Sequence, residues 1–322
     1  MKNNNILDTE YAIEINNLSK SFNDLKVLDK LSLKVKKGQL YGFLGLNGAG
    51  KTTALNIILG LIPRDEGQIL INNLDVDKNI ESIRNNIGIV FQNSTLDPIL
   101  SVYDNLLFRA SLYKDIYNKH NIKKVVDDII VEFQLEDIKN KRYKNLSGGQ
   151  KRRVDIARSL IHKPSILFLD EPTTSLDPSS RKLVWQILNK IQRERNLTIL
   201  LTTHYMEEAN KCEFISILQK GKKIVEGTPT QLKSWFANTT VKVYSKQNLE
   251  LEQIAKSLDA EINYLDKGYI FSFSNNSQAV KFVELISKIT NDFELHKGTM
   301  EEVFINVTSM DPEQINEVIK NV

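Results

Sequence analysis

The chain has 322 residues, with 43 Lys and Arg against 40 Asp and Glu, 41% hydrophobic residues and one cysteine. Such a length holds one large domain or two ordinary ones with a sizeable core, and 26% charged residues exclude both a disordered chain and a membrane-embedded body. A net charge of +3 is too small to imply a nucleic-acid or lipid surface, so no nucleic-acid partner is expected, and the single Cys212 fits a reducing compartment.

The first residues, Met1 to Asp8, carry no apolar leader, and no run approaches the roughly 18 apolar residues a membrane-crossing helix needs. Any membrane role is therefore expected to come through another polypeptide. Four apolar runs have the length of buried strands: Leu40–Leu44, Ile87–Phe91, Ile166–Leu169 and Ile199–Leu201. Helix-like stretches alternate with them, which predicts an α/β fold around a parallel sheet. Each run ends in a glycine-rich or polar element: Gly45 onward, Gln92, Asp170-Glu171 and Thr202-Thr203-His204. Open parallel sheets bind ligands outside the carboxyl ends of their strands, so these four ends are expected to converge on one site.

Charge changes along the chain. Residues 231–322 hold 9 Lys and Arg against 13 Asp and Glu, a net of −4 that leaves +7 on the rest. With the turn-like Glu226-Gly227-Thr228-Pro229, this predicts a boundary near residue 230. Beyond it, Val241–Tyr244, Leu249–Leu258, two short strands around Asp266-Lys267-Gly268, and Ala279–Ile289 read as a small α+β domain, closed by a further strand or helix. It carries no recognisable chemical constellation, and a docking or dimer-stabilising role is its plainest reading.

Chemistry concentrates before the boundary. Gly45-Leu46-Asn47-Gly48-Ala49-Gly50-Lys51-Thr52-Thr53 fits the P-loop pattern, between a strand and the helical run Ala54–Leu59. Its glycines turn backbone N–H groups inward as an anion nest, and the helix N-terminus adds about 0.3–1 kcal/mol for a negative charge. Lys51 is placed to reach β- and γ-phosphates and Thr52 to hold Mg²⁺. Asp170 suits the Mg²⁺ shell, and Glu171 is free to orient or deprotonate a water, worth about 10²–10⁴-fold as a general base. Leu146-Ser147-Gly148-Gly149-Gln150 precedes an amphipathic helix with Val154, Ala157, Leu160 and Ile161, and Ser147 reads as its N-cap. That makes a second anion-ready helix start in a chain with one P-loop.

Taken in order, the P-loop, Gln92, Leu146–Gln150, Asp170-Glu171, Ser175-Leu176-Asp177 and His204 resemble the nucleotide-binding subunit of an ABC transporter over about residues 11–230. The resemblance implies a P-loop NTPase cassette with a helical subdomain at about 93–160, followed here by the α+β domain of 231–322. It implies two subunits, identical or pseudo-symmetric, sandwiching two ATP molecules head to tail. Ser147 and Gly149 of one would then contact the γ-phosphate held by Lys51 of the other, with Gly148 and Gln150 in the same motif. Phe22 stands where the family stacks a ring on adenine, Gln92 matches the loop that senses Mg²⁺ and the membrane partner, Asp177 the loop exchanged across the dimer, and His204 the switch histidine supporting Glu171. A separately encoded transmembrane permease and a cytoplasmic, peripheral position on the membrane's inner face complete what the resemblance implies.

Two features bear on direction. Asp177-Pro178-Ser179-Ser180-Arg181, and the tail Gly298-Thr299-Met300-Glu301-Glu302-Val303-Phe304-Ile305, resemble the exporter subfamily that includes daunorubicin- and bacitracin-resistance ATPases. Importer subunits with an extra domain usually carry a β-barrel there, which the helix-containing tail does not fit. Non-transport ABC ATPases of DNA repair insert a long coiled coil between P-loop and signature, but the gap from Lys51 to Ser147 is 96 residues without heptads.

Overall fold

The computed structural model describes residues 10–113, 117 and 121–320. The leader reading above rests on residues that lie outside the described ones, as does part of the expected helical subdomain around residue 115. The chain divides into two compact units, residues 1–205 with 218–223, and residues 206–217 with 224–322. Residues 218–223, the tip of one hairpin, group with the first unit.

In the first unit, β1 (Tyr11–Phe22) and β2 (Leu25–Lys36) form a long hairpin, β3 (Leu40–Leu44) runs into the P-loop, and α1 (Lys51–Ile58) follows it. Then come β4 (Glu66–Ile71), β5 (Leu74–Asp75), α2 (Val76–Arg84) and β6 (Ile87–Val90). The helical segment holds α3 (Val102–Ser111), α4 (Ile122–Glu132) and α5 (Gly148–Leu160), and the unit continues with β7 (Ile166–Asp170), α6 (Pro178–Arg195) and β8 (Thr198–Thr203). Strands β2, β1, β4 and β5 make an antiparallel sheet, whereas β3, β8, β7 and β6 lie side by side in parallel. All residues of β3, β7 and β8 are buried, as continuous apolar runs in a covered parallel sheet must be. Register pairs Leu44 with Thr203 and Asp170 with Thr202, so these strands end level with one another.

The expected strands are present with shifted ends, Ile87–Phe91 stopping at Val90 and Ile199–Leu201 extending to Thr198–Thr203. The hairpin sheet of β1, β2, β4 and β5 has no counterpart in the sequence reading. Its strands mix buried and exposed residues irregularly, with bulges in the β1–β2 register, so neither a continuous run nor clean alternation marks them.

The hairpin of β9 (Phe214–Gln219) and β10 (Lys222–Gly227) is the one shared between units. The second unit otherwise contains α7 (Met206–Ala209), α8 (Pro229–Phe236), β11 (Thr239–Val243), α9 (Leu249–Ser257), β12 (Glu261–Leu265), β13 (Gly268–Phe273), α10 (Asn276–Ile286), β14 (Phe293–His296), α11 (Met300–Ser309) and α12 (Pro312–Lys320). Its β11–β14 stretch is a βαββαβ unit with antiparallel neighbours and strand order β12-β13-β11-β14, a ferredoxin-like topology. Alternate residues Val241, Val243, Tyr269, Phe271 and Phe273 face inward against Leu251, Ala255, Ala279, Phe282 and Ile286 of the two helices. The tail beyond residue 290, read as strand or helix, is both: β14 and then α11. The exporter-like Gly298–Ile305 sequence supplies the Thr299 cap and first turns of α11.

Candidate functional site

The P-loop crosses the end of β3. Gly50 sits at φ +99, and a Cβ there would lie 2.9 Å from Val27 O, so a larger residue meets both backbone strain and a wall. Lys51 folds back over the loop, its Nζ donating to Gly45 O at 2.8 Å and Leu46 O at 3.1 Å. Burial pushes the Lys51 pKa down, and the neighbouring Glu171 and Asp170 charges oppose that. A cavity of about 340 Å³ lies over the loop, with Asn47, Gly48, Gly50, Lys51, Thr52 and Thr53 on one side and Gln92 and Glu171 on the other. Ala49 is buried and its N–H donates to Leu46 O at 3.1 Å, so in this conformation it is engaged within the loop.

The ends of β7, β8 and β6 meet that cavity. Asp170, 3% exposed, accepts from Thr52 Oγ1 at 3.3 Å and from the Thr202 hydroxyl. A threonine hydroxyl and a buried carboxylate side by side, beside a phosphate-shaped loop, form the hard-oxygen set Mg²⁺ prefers. Glu171 has φ +45, a conformation that costs a residue with a side chain about 1–2 kcal/mol. Its N–H donates to Thr202 Oγ1 at 3.0 Å, which helps to hold it there. Its carboxylate accepts from Gln92 Nε2 at 3.4 Å and Thr174 Oγ1 at 3.1 Å, and lies 3.2 Å from His204 Nδ1. Gln92, Asp170, Glu171 and His204 thus come together with Lys51 and Thr52, although the sequence separates them by up to 153 residues.

Phe22 ends β1 with its ring 44% exposed and the Lys20 ammonium 5.3 Å from the ring centre.

Ser147, Gly148, Gly149, Gln150 and Asp177 are not among the residues lining the cavity. Ser147 caps α5 in a full capping box with Gln150, leaving the helix N-terminus open beyond it. Asp177 caps α6, and hydrogen bonds from Ser179 and Ser180 hold its carboxyl well below the usual range. A Cβ on Gly149 would lie 2.1 Å from Ser180 Oγ, so the two helix starts need a glycine there to approach.

Sequence reasoning missed Thr202, whose hydroxyl donates to the Asp170 carboxylate and accepts from the Glu171 N–H, and it missed Thr174 and the buried Arg152 on α5. Arg152 donates to the carbonyls of Phe91, Asp170, Glu171 and Pro172. No local signal marked Arg152, because α5 is amphipathic and carries Lys151, Arg153, Asp155 and Arg158 as well, so the pattern does not separate a buried arginine from an exposed one.

The chain is similar to known proteins over most of its length. The "ABC transporter" family model matches residues 28–174. The "Nod factor export ATP-binding protein I" of Rhizobium etli is 33% identical over 305 residues, covering 94% of this chain and 95% of that protein. Among solved structures, cbiO1 from Clostridium perfringens, part of the ABC transporter complex cbiONQ, shows 32% identity and a TM-score of 0.65, covering 70% of this chain and 91% of its own. The dimeric post-hydrolysis state of the ATP-binding cassette MJ0796, bound to ADP and Pi, shows 30% identity and a TM-score of 0.60, covering 67% of this chain and 98% of its own. The P-loop, the paired carboxylates and the capped second helix therefore belong to an ATP-hydrolysing cassette, and the chain is a member of the ABC transporter family, as one of its ATP-binding subunits.

Proposed function

We propose that the chain powers export through a separately encoded permease, as one of two subunits that close around two MgATP. A single observation carries the dimeric reading. Among the described residues, the helix start at Lys51 lines the cavity that also holds Glu171, whereas the glycine-paired helix start capped by Ser147 does not line it. A second copy supplies what one copy leaves apart, with Ser147, Gly148, Gly149 and Gln150 of one subunit facing the phosphates on the other's Lys51, and Asp177 beside the junction. The likeness to a cassette solved as a dimer supports this arrangement.

The chemistry is water attack on the γ-phosphorus, with the β–γ bridging oxygen leaving on ADP. The P-loop N–H groups and Lys51 bind the phosphates, Phe22 stacks on adenine, and Thr53 sits at the same helix start. Mg²⁺, held by Thr52, Gln92 and the Asp170 shell, would neutralise charge on the β- and γ-oxygens. Glu171 orients the water and takes its proton. His204, bound to Glu171 through Nδ1, holds that carboxylate in place and keeps Nε2 for the γ-phosphate.

Export is supported by the Rhizobium etli relative, a Nod factor export ATP-binding protein, and by the exporter-like Asp177–Arg181 and Gly298–Ile305 sequences. Among the described residues no helix is long and apolar enough to cross a membrane, and on this reading the transport path lies in another chain. Ile99, Phe108 and Leu112, all more than half exposed around α3, offer an apolar surface for that permease. On this reading the cassette spans about residues 11–230 with its helical subdomain at 93–160, residues 231–322 form an accessory domain, and the subunit sits in the cytoplasm against the inner face of the membrane.

The test is a pull-down of tagged Glu171→Gln protein from native membranes with MgATP, followed by mass spectrometry. A stoichiometric polytopic membrane protein lacking its own P-loop is the expected partner, and an exporter fold in it would support the direction. An importer-type permease would reverse the direction, and ribosomes or DNA-repair proteins without a permease would overturn transport.

A further inference from the structure

Glu171 keeps a left-handed backbone, and the side chain that grips the carbonyls on both sides of that strained residue comes from α5. Arg152 is buried, 6% exposed, just over one turn into α5. Its Nη2 donates to Asp170 O and Glu171 O at 2.9 Å each, Nε donates to Pro172 O, and Nη1 donates to Phe91 O at 2.7 Å. Phe91 immediately precedes Gln92. One planar guanidinium therefore spans the end of β7 and the residue after β6, and it fixes the main chain under both Glu171 and Gln92.

Two side chains at and just beyond the other end of α5 hold β6 as well. Arg158 Nη2 donates to Ile89 O at 2.8 Å, and His162 Nε2 lies 2.9 Å from Ile87 O. Carbonyls two residues apart point the same way from a strand, and β6 ends its sheet, so this stripe covers an otherwise unpaired edge. Of the three, Arg152 is the one whose bonds continue to the main chain of Glu171.

We propose that Arg152 is a positioning residue for hydrolysis, tying the placement of α5, and hence of Ser147 at its start, to the orientation of Glu171. The proposal rests on the assignment of Glu171 as the water-activating group. A rigid planar fork is required, because an ammonium on a flexible stem cannot meet four oxygens on two chain segments.

The test compares Arg152→Gln, Arg152→Lys, Arg158→Gln and Glu171→Gln in the full-length chain. The rate kcat is expressed per nucleotide site titrated in the same sample, so unfolded protein drops out. Both Arg152 variants are expected to lose kcat roughly 10–100-fold, because a displacement near 1 Å at the reacting group is worth that much. Their ATP KM and Kd should stay within about threefold, because the P-loop is untouched. Arg158→Gln severs a bond of the same kind and should change kcat by less than about threefold.

Parental kcat in the Arg152 variants, an equal loss in Arg158→Gln, or failure of both Arg152 variants to bind nucleotide would each overturn the proposal. Glu171→Gln separates it from the reading beneath it. Normal turnover there removes the role of Glu171 itself, whereas its loss alongside active Arg152 variants removes only the role of Arg152.

Discussion

Acidification should weaken the first unit through His162. This ring is 3% exposed at the end of α5, stacked on Tyr113 with centres 4.3 Å apart, and its Nε2 lies against Ile87 O. Burial, and to a smaller degree the Arg109 and Arg158 charges, push its pKa from the ordinary 6.5 down to about 4, while the Ile87 carbonyl opposes the shift. The fold therefore keeps the ring neutral where the unfolded chain protonates it. Stability is fully present above pH 6.5, falls as pH drops through 6.5, and stops falling on this account near pH 4. Between pH 7.5 and 5.0 the loss comes to about 2 kcal/mol.

His162→Phe retains a ring against Tyr113 and removes the titrating nitrogens. It loses the Ile87 bond, a cost of about 1 kcal/mol at pH 7.5. The assay is urea unfolding followed by Trp185 fluorescence, since Trp185 is buried in α6 of the first unit, in a Trp235→Phe background that silences the other unit's tryptophan. On moving from pH 7.5 to 5.0 the parent should lose about 2 kcal/mol more than His162→Phe. Losses that agree within about 0.5 kcal/mol would refute the reasoning, because every other titrating group is common to both proteins.

Three further outcomes follow from the site. Glu171→Gln should bind ATP normally but lose turnover about 10²–10⁴-fold and accumulate as an ATP-bound dimer on size-exclusion chromatography, so normal turnover would remove its assigned role. Lys51→Ala removes the main side-chain counterion of the phosphates and should weaken ATP about 10–100-fold by isothermal titration, the equivalent of a charged hydrogen bond. Ser147→Arg should leave ATP binding to the monomer within about twofold and prevent dimer closure, at about 1 kcal/mol for the lost helix cap. Tight ATP dimers of that variant would end the shared-site reading.

The sequence by itself determined the chemistry that is local in the chain. A phosphate loop must be contiguous, since successive N–H groups of one short segment make the nest, so Gly45–Thr53 was legible before any fold. Strand ends were legible too, because a fully buried parallel strand reads as an unbroken apolar run, and its first polar residue marks the edge of the sheet. Hence Asp170, Glu171 and His204 could be singled out, and the structure brings them to within hydrogen-bonding reach of Thr52 or of one another. Ser147 was legible because capping follows from side-chain and backbone groups only three residues apart.

Only tertiary structure decided the rest. Thr202 and Arg152 matter through contacts 18 to 61 residues away in sequence, and no local pattern separates a threonine that grips a carboxylate from one that fills a strand. The order of β12-β13-β11-β14 was likewise out of reach, because periodicity assigns each strand a face and not a neighbour. The left-handed Glu171 is the sharpest case, since glutamate has no intrinsic tendency toward φ +45. That conformation persists because Thr202 on β8 and Arg152 on α5 hold its backbone from two sides, a constraint that comes into being only when strand and helix have packed.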